Sequence, residues 1–449
     1  MGRLFGTDGA RGVANVELTC EMALNIGRAA AMVLTNDTHT RPRIVIGKDT
    51  RKSSDMIESA LAAGICSVGA DVLILGVVPT PAIAYLVDHY KADAGMMISA
   101  SHNPCEFNGI KLFNGDGYKL PDELEEKIEN IVLDQIIPYP QKIGGEVGKT
   151  KTVTTAGYDY IEHIIGTCPT SLEGLKVALD CSNGSACKTA KKLFELLGAQ
   201  VYILSCNPDG VNINANCGST HMEALKEFTV AVKCDLGLAF DGDADRCLAV
   251  DENGQLVDGD QLIAICANEM KKDGTLRGNT AVVTVMSNMG FFKSCEDNGI
   301  NVSKTKVGDR YVLEEMLEKG YCIGGEQSGH IIFTDYAKTG DGQLTGVQLM
   351  KIMKQTGRPL SELAKVMDIY PQVLQNIKVS AYGKARFNDD AEVKDAISKV
   401  EKELGGNGRI LVRISGTEPL IRVMLEGKDT AHIKMLCDEV SQVIKERLV

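Results

Sequence analysis

No stretch of this chain approaches the roughly 20 consecutive apolar residues that a membrane-spanning helix needs. The opening residues hold no apolar core of a secretion signal, and Gly6 denies Met1-Gly2 the hydroxyl residue that myristoylation requires. We therefore expect no membrane partner and a cytoplasmic location. Cys-x-x-Cys pairs are also missing. The 14 cysteines lie singly, mostly in apolar runs such as that around Cys266, which argues for isolated buried thiols and against a zinc site or disulfide framework. The net charge is −12 and no stretch is both basic and aromatic-rich, which disfavours nucleic acid as a partner. Two catalytic frames are lacking as well. Without Gly-x-Ser-x-Gly a hydrolase triad loses its usual setting, and without Gly-x-x-x-x-Gly-Lys-Ser/Thr there is little support for ATP as a donor.

What is present is an ordinary globular composition, 44% hydrophobic and 24% charged, over 449 residues, too many for one core. One unit recurs three times. Its first copy opens with the apolar run Arg43–Gly47, continues with a helical pattern over 54–69 and a second strand at Asp71–Gly76, and ends where Ala94–Ile98 enters a serine loop. The second copy has Lys176–Asp180, a helix over about 187–197, Gln200–Leu204, and Leu236–Phe240 entering an aspartate loop. The third has Ala281–Val285, a strand starting at Asn301, and Tyr321–Ile323 entering Gly324-Gly-Glu-Gln-Ser-Gly-His330. Continuous apolar strands alternating with amphipathic helices predict mainly parallel sheets covered on both faces, with ligands outside the carboxyl ends of the strands. The C-terminal part reads differently. Strands at Gln375–Val379, Arg409–Val412 and Leu420–Met424, with helices over 390–404 and near the end, predict a smaller α+β domain. The expected organisation is α/β: three similar domains with mixed or parallel sheets plus the α+β domain. The boundaries are 1–155 (serine loop), 156–254 (aspartate loop), 255–368 (Gly-Glu-Gln loop) and 369–449 (arginine loop). The segment 136–145, with two prolines and then two glycines, reads as a surface connection.

Ser101 stands before His102-Asn103-Pro104, and Asn-Pro favours a turn that exposes it. A loop serine most often caps a turn, so the residue alone says little. Asp241, Asp243 and Asp245 alternate so that a curled loop can aim three carboxylates at one cation; hard oxygen ligands suit magnesium or calcium. An EF-hand would place Glu252 at its twelfth position, but its sixth is Arg246 instead of glycine, and both flanks read as strands. A solvated acidic turn would leave the carboxylates repelling one another. Glu326, Gln327, Ser328 and His330 suit sugar hydroxyls or an amine, although glycine-rich polar turns are common. Arg413, Ser415, Gly416, Thr417 and Arg422 bring two guanidinium groups, two hydroxyls and exposed backbone to one strand–loop–strand, a phosphate cradle unless they form a plain hairpin with surface arginines.

With these four loops in order, the chain resembles the α-D-phosphohexomutase superfamily over nearly its whole length, which implies that the four domains surround a central cleft. Ile98–Pro104 resembles the family's phosphoserine loop, Asp241–Arg246 its metal loop, Gly325–His330 its sugar loop and Arg413–Pro419 its phosphate loop. Phe5–Gly12 and Glu326-Gln327-Ser328 are closest to the bacterial phosphoglucosamine mutase branch, phosphomannomutase/phosphoglucomutase being the rival within the family. A non-catalytic protein that binds metal or sugar phosphate is the rival outside it. Lys48, Ile414 and Phe107 depart from the family pattern. The resemblance implies interconversion of glucosamine 6-phosphate and glucosamine 1-phosphate through phosphorylated Ser101 and a hexose 1,6-bisphosphate, which is also the activator. It implies Mg2+ held by Ser101, Asp241, Asp243 and Asp245, with Arg11, Lys119 and His330 near the transfer and Arg246 on phosphate. A small-molecule sugar phosphate is the implied partner, and the relatives suggest a homodimer.

Overall fold

The computed structural model describes residues 3–6, 9–35, 41–134, 138–415 and 419–449. Their strands form four sheets. The first contains β1 (Phe5–Gly6), β2 (Gly9–Val13), β3 (Arg43–Lys48), β4 (Asp71–Val77), β5 (Ala94–Ile98), β6 (Phe107–Asn114) and β7 (Thr150–Thr152), ordered β1-β2-β6-β5-β3-β4-β7. The second contains β8 (Lys176–Asp180), β9 (Gln200–Leu204), β10 (Leu236–Phe240), β11 (Cys247–Asp251) and β12 (Leu256–Val257), ordered β12-β11-β10-β8-β9. The third contains β13 (Thr280–Thr284), β14 (Asn301–Thr305), β15 (Ile323–Gly325) and β16 (Ile331–Phe333), ordered β14-β13-β15-β16.

The same four-strand order recurs: β4-β3-β5-β6, β9-β8-β10-β11 and β14-β13-β15-β16. In each, three strands run parallel and the fourth returns antiparallel. The inner parallel strands are covered on both faces; every residue of β5, β10 and β13 is buried, whereas the outer β9 and β14 are partly exposed and more polar. The sheets are thus mixed, mainly parallel with one antiparallel return, within the expectation of mixed or parallel sheets. The return strand hid in the sequence because its pattern is broken by buried polar residues, as at Asn108 and Lys111 in β6. All three polar loops occupy the equivalent turn, between the third parallel strand and its antiparallel return.

Two local expectations also shift. The helix expected over 187–197 is a 3-10 turn, Ser185–Lys188, followed by a helix at Ala190–Leu196. Thr189, at φ −125° and ψ −42°, interrupts it, and its hydroxyl accepts a hydrogen bond from Gln343 Nε2 at 2.7 Å. In the C-terminal part, β17 (Gln372–Lys378) starts three residues before the expected Gln375.

By packing, the chain divides into two compact units, 1–286 with 300–366, and 287–299 with 367–449. The second unit is built on β17, β18 (Gly408–Ile414) and β19 (Leu420–Gly427), ordered β17-β19-β18 and all antiparallel. Ile377, Val393, Ile421, Val423, Ile433 and Val440 join the sheet to helices Ala391–Leu404 and Thr430–Leu448 in one core. Segment 287–299 belongs here because Asn288 Nδ2 donates to Tyr370 O at 2.9 Å and the Arg409 guanidinium stacks over Phe292 at 5.2 Å. Among the described residues no helix is long and apolar enough to cross a membrane.

In the first unit, helices Cys20–Leu34 and Lys52–Ser67 touch through two glycines. A Cβ at Gly64 would sit 2.2 Å from Leu24 O, and one at Gly27 would sit 2.6 Å from Leu61 O. Since backbone cannot yield as a side chain can, Gly64→Ala should destabilise by about 2 kcal/mol. Chemical denaturation of the purified protein measures this; an unchanged midpoint would show that the helices separate at little cost.

Candidate active site

Ser101 is 2% exposed and holds a left-handed backbone, φ 50°, which costs a non-glycine residue energy and must be imposed by its surroundings. The surroundings are a buried brace. Arg51, entirely enclosed, pairs with Asp49 at 2.9 Å and donates to the carbonyls of Ser101 (3.0 Å), Asn103 (2.8 Å), Phe107 (3.1 Å) and Pro104. Asn214 Nδ2 donates to the same Ser101 and Asn103 carbonyls at 2.8 and 3.0 Å. Ser99 Oγ donates to Asp49 at 2.6 Å and accepts from the Ser101 N–H at 3.0 Å. The loop is thus held by its backbone, and the Ser101 hydroxyl is left to reach across and donate to Asp241 Oδ2 at 2.6 Å.

That bond joins the first repeat's loop to the second's. Asp241, Asp243 and Asp245 are buried, and one carboxylate oxygen of each lies within 4.8 Å of the others. Their loop turns through Ala244 at φ 56°. Lys111, in the middle of β6 and 2% exposed, bridges Asp243 Oδ2 (2.6 Å) and Asp245 Oδ2 (3.3 Å). Thr80 Oγ1 donates to Asp243 Oδ2 at 2.6 Å, and the Arg246 N–H donates to Asp241 Oδ1 at 3.2 Å. Burial, then repulsion from Asp245 and Asp243, pushes Asp241 well above the usual carboxylate range. Burial also opposes the ionisation of Asp245, but Lys111, His330 and Arg246 together hold it well below that range. Asp243 Oδ1 is buried with no hydrogen-bond partner among the described residues. An all-oxygen donor set with an orphaned carboxylate oxygen and an Asp241 destabilised as an anion fits a hard divalent cation. The EF-hand alternative is excluded by geometry: β10 and β11 flank the loop, and Glu252 accepts instead from Ser361.

The third repeat contributes His330, which is 3% exposed. Its Nδ1 lies 3.7 Å from Asp245 and its Nε2 lies 3.6 Å from Asp309. The Gly340 N–H donates to Nε2 at 3.1 Å, so the neutral ring carries its proton on Nδ1, facing Asp245. Burial opposes a charged ring, yet Asp245 and Asp309 raise the His330 pKa above its ordinary value. Gly340 must be glycine, since a Cβ there would meet the ring at 2.5 Å. Lys119 pairs with the same Asp309. Glu326 accepts from the Gly308 N–H at 3.1 Å; burial, with a smaller push from Asp309, raises its pKa. Gln327 donates to Asp258 at 3.0 Å, and Ser328 is exposed. Gly324 and Gly325 are corrected from flexible loop to strand β15: a Cβ would come within 2.8 Å of Val282 O or 2.4 Å of His330 O, so they serve close backbone approach.

Arg246 approaches Asp245 at 3.9 Å and His102 Nδ1 at 3.4 Å. Arg11 lies on β2 opposite Gly109, two residues along β6 from Lys111. Lys48, where the family has arginine, pairs with Asp55 and Glu58 at 2.7 and 2.6 Å. A cavity of about 570 Å³ adjoins the site, with Lys111, Lys119, Glu125 and Arg310 in its wall, while Ser101 and the three aspartates do not line it. In the second unit, Arg413 and Arg422 face each other across β18 and β19; burial and the opposing Arg422 charge lower the Arg413 pKa. Ser415 is buried and its N–H donates to Leu420 O at 2.9 Å, while Gly416 and Thr417 lie outside the described residues. The sequence reading missed Lys111, Asp49, Arg51, Thr80, Asn214 and Asp309. A lysine inside the apolar run Phe107–Asn114 was the available signal, because a buried ammonium requires a carboxylate partner.

A serine hydroxyl set on a carboxylate cage, at the ends of repeated α/β sheets, is the arrangement expected of a phosphoryl-transfer enzyme. Comparison with known proteins agrees. The models of phosphoglucomutase/phosphomannomutase alpha/beta/alpha domains I, II and III match residues 2–136, 158–254 and 258–370, and that of the C-terminal domain matches 374–443. The chain belongs to the phosphoglucomutase/phosphomannomutase family. It is 55% identical to a phosphoglucosamine mutase of Clostridium novyi over 447 residues, covering 100% of this chain and 99% of that one. Its fold matches a crystal structure of a family protein from Burkholderia thailandensis with a TM-score of 0.83, at 24% identity, over 99% of this chain and 98% of the other. It also matches Aspergillus fumigatus N-acetylphosphoglucosamine mutase in complex with GlcNAc-6P and magnesium, with a TM-score of 0.67 at 16% identity, over 99% and 96% of the two chains.

The cage yields a prediction of its own. Lys111→Met removes the main countercharge of two buried carboxylates and should cost about 3 kcal/mol or more in chelator. Millimolar Mg2+ should restore a large part of that loss. Thermal melts of wild type and variant, with and without Mg2+, measure the difference; an equal loss in both conditions would show that no cation shares the cage.

Proposed function

We propose that this chain interconverts glucosamine 6-phosphate and glucosamine 1-phosphate by way of a phosphorylated Ser101. The observation that carries the chemistry is the 2.6 Å bond between the Ser101 hydroxyl and the Asp241 carboxylate inside the three-aspartate cage. The identity of the amino sugar rests on the full-length relatives. Phosphoryl transfer demands positioning and charge neutralisation more than covalent assistance. The Arg51 brace fixes the serine, and the cage faces its oxygen. A sugar hydroxyl oxygen bonds to the phosphorus as the phosphorus–Oγ bond breaks, giving a hexose 1,6-bisphosphate. The bisphosphate turns over and returns its other phosphoryl group to Ser101 Oγ. Asp241, Asp243 and Asp245, with phosphorylated Ser101, would hold a magnesium ion, and such an ion would supply charge neutralisation at the transferring group.

For the sugar hydroxyl's proton we assign Arg11, Lys119 and His330 as the acid–base and orienting set. Lys119 and His330 meet at Asp309, so a proton change at one is felt by the other. Lys111 joins them as a positioning residue for the cage. Arg246, Glu326, Gln327 and Ser328 are assigned to the substrate. Arg413 and Arg422, with Ser415, Gly416 and Thr417, are assigned to the phosphate that is not being transferred. Two cations directly opposed on neighbouring strands repel unless an anion joins them.

Phosphorus NMR with Mg2+ and a trace of hexose 1,6-bisphosphate tests the reading, with glucosamine, glucose and mannose 6-phosphates offered in parallel. Wild type should form glucosamine 1-phosphate fastest, and intact mass should show phosphate at Ser101 on part of the population. Ser101→Ala should lose both; full turnover by that variant would exclude the scheme. A preference for glucose or mannose would keep the mechanism and move the specificity. Arg413→Ala should raise KM at least tenfold while the protein still carries phosphate on Ser101, and steady-state kinetics with an unchanged KM would remove Arg413 from the phosphate site.

A further inference from the structure

Among the described residues a second group of metal-ligating side chains converges, and it consists of thiols. Cys181 follows β8 directly and Cys206 lies two residues past β9. These strands are parallel neighbours with Asp180 opposite Leu204, so their ends bring the two cysteines together. Cys187 arrives on the 3-10 turn Ser185–Lys188, its Sγ 3.6 Å from Ser205 O, while Cys206 Sγ is 3.6 Å from Cys187 O. All three sulfurs lie within 4.8 Å of one another, and none is in a disulfide. The expectation of isolated thiols is thereby corrected for these three. Spacing along the chain hid the cluster because adjacent strands, not adjacent residues, assemble it.

We propose that Cys181, Cys187 and Cys206 form a three-thiolate site for a thiophilic divalent cation of the zinc or cadmium type, separate from the carboxylate cage. A metal–sulfur length of about 2.3 Å sets the sulfurs about 4 Å apart, so the cluster need contract by less than about 1 Å. Cys187 and Cys206 are half-buried, which gives an ion a way in, and Cys181 closes the site from beneath. On binding, three metal–sulfur bonds form, and each sulfur that enters as a thiol gives up its proton to solvent. The resulting charge of −1 is met by Lys188 and Lys191, whose positive charges act on Cys206. Soft thiolates and hard carboxylates sort cations by type, so the two sites do not compete for the same ion. The cysteine loop is also tied to the cage: the Gly184 N–H donates to Cys181 O at 2.8 Å, and the Ser185 N–H donates to Gly242 O, between Asp241 and Asp243, at 2.8 Å.

The test is a Cd2+ titration of the reduced full-length protein in excess Mg2+, following the ultraviolet thiolate-to-cadmium absorption. We expect saturation at one ion per chain, proton release in weak buffer, and displacement by Zn2+. Cys187→Ser and Cys206→Ser should each weaken binding at least tenfold, whereas Cys20→Ser on helix Cys20–Leu34 should leave it unchanged. Melting without metal checks that the variants fold. As a measurement on the unaltered chain, bound Cd2+ should protect Cys187 and Cys206 from alkylation in peptide mass mapping. No saturable absorption, a signal that survives both substitutions, or formation of a Cys187–Cys206 disulfide without any metal uptake would each overturn the proposal.

Discussion

Three carboxylates buried within one loop are the constraint on which the first unit depends. Each is at most 4% exposed, so water cannot screen their repulsion. Countercharge must come from neighbouring side chains, and it comes from several directions. Lys111 arrives from β6, Arg246 from the loop's own end, and His330 from the third repeat. The remaining imbalance falls on Asp241, the residue that accepts the Ser101 hydroxyl. The site is therefore poised for additional positive charge at the place where a phosphoryl group on serine would bring further negative charge.

The threefold repeat explains how such a loop can be placed at all. Every copy ends its third parallel strand in a polar loop and returns antiparallel, so a loop residue is held between two hydrogen-bonded strands. The first two loops then brace one another. Thr80 donates to Asp243 by side chain and backbone alike, and Asn214 holds the carbonyl of Ser101. Strained conformations gather here: Ser101, Ser182, Asn183 and Ala244 all adopt positive φ without being glycine. Such residues persist only where neighbouring structure over-determines them. Arg51, with its side chain enclosed and four carbonyls in its grasp, supplies that over-determination for Ser101.

Legibility in the sequence followed from whether a role depends on spacing or on burial. The aspartates are two residues apart and the serine precedes Asn-Pro, so both were readable along the chain. Lys111 was not, because a lysine in an apolar strand resembles an edge-strand residue until its burial is known. Lys119 drew attention through family resemblance, yet the lysine that bonds the cage is Lys111, and Lys119 pairs with Asp309 beside His330. Gly324 and Gly325 read as flexible loop because glycine marks both freedom and close approach; the Val282 and His330 carbonyls beside them show which applies. The three cysteines were invisible for a related reason, since residues 181 and 206 meet only once β8 and β9 are known to be neighbours.

An acidic chain that handles a sugar phosphate must build its positive potential locally, and the charge pattern bears this out. The net charge is −12, yet Lys111 and Arg246 stand at the aspartate loop and Arg413 and Arg422 oppose each other across β18 and β19. An arginine pair in direct register loses stability to its own repulsion. Its persistence in β18 and β19 is explained if a phosphate completes it, because bidentate guanidinium contacts recover more than the repulsion costs. The same reasoning applies to Asp241 at the opposite sign. In both places like charges are set against one another where a bound ion or phosphate of the opposite sign would relieve their repulsion, so binding energy is realised at the phosphoryl groups and not over the surface as a whole.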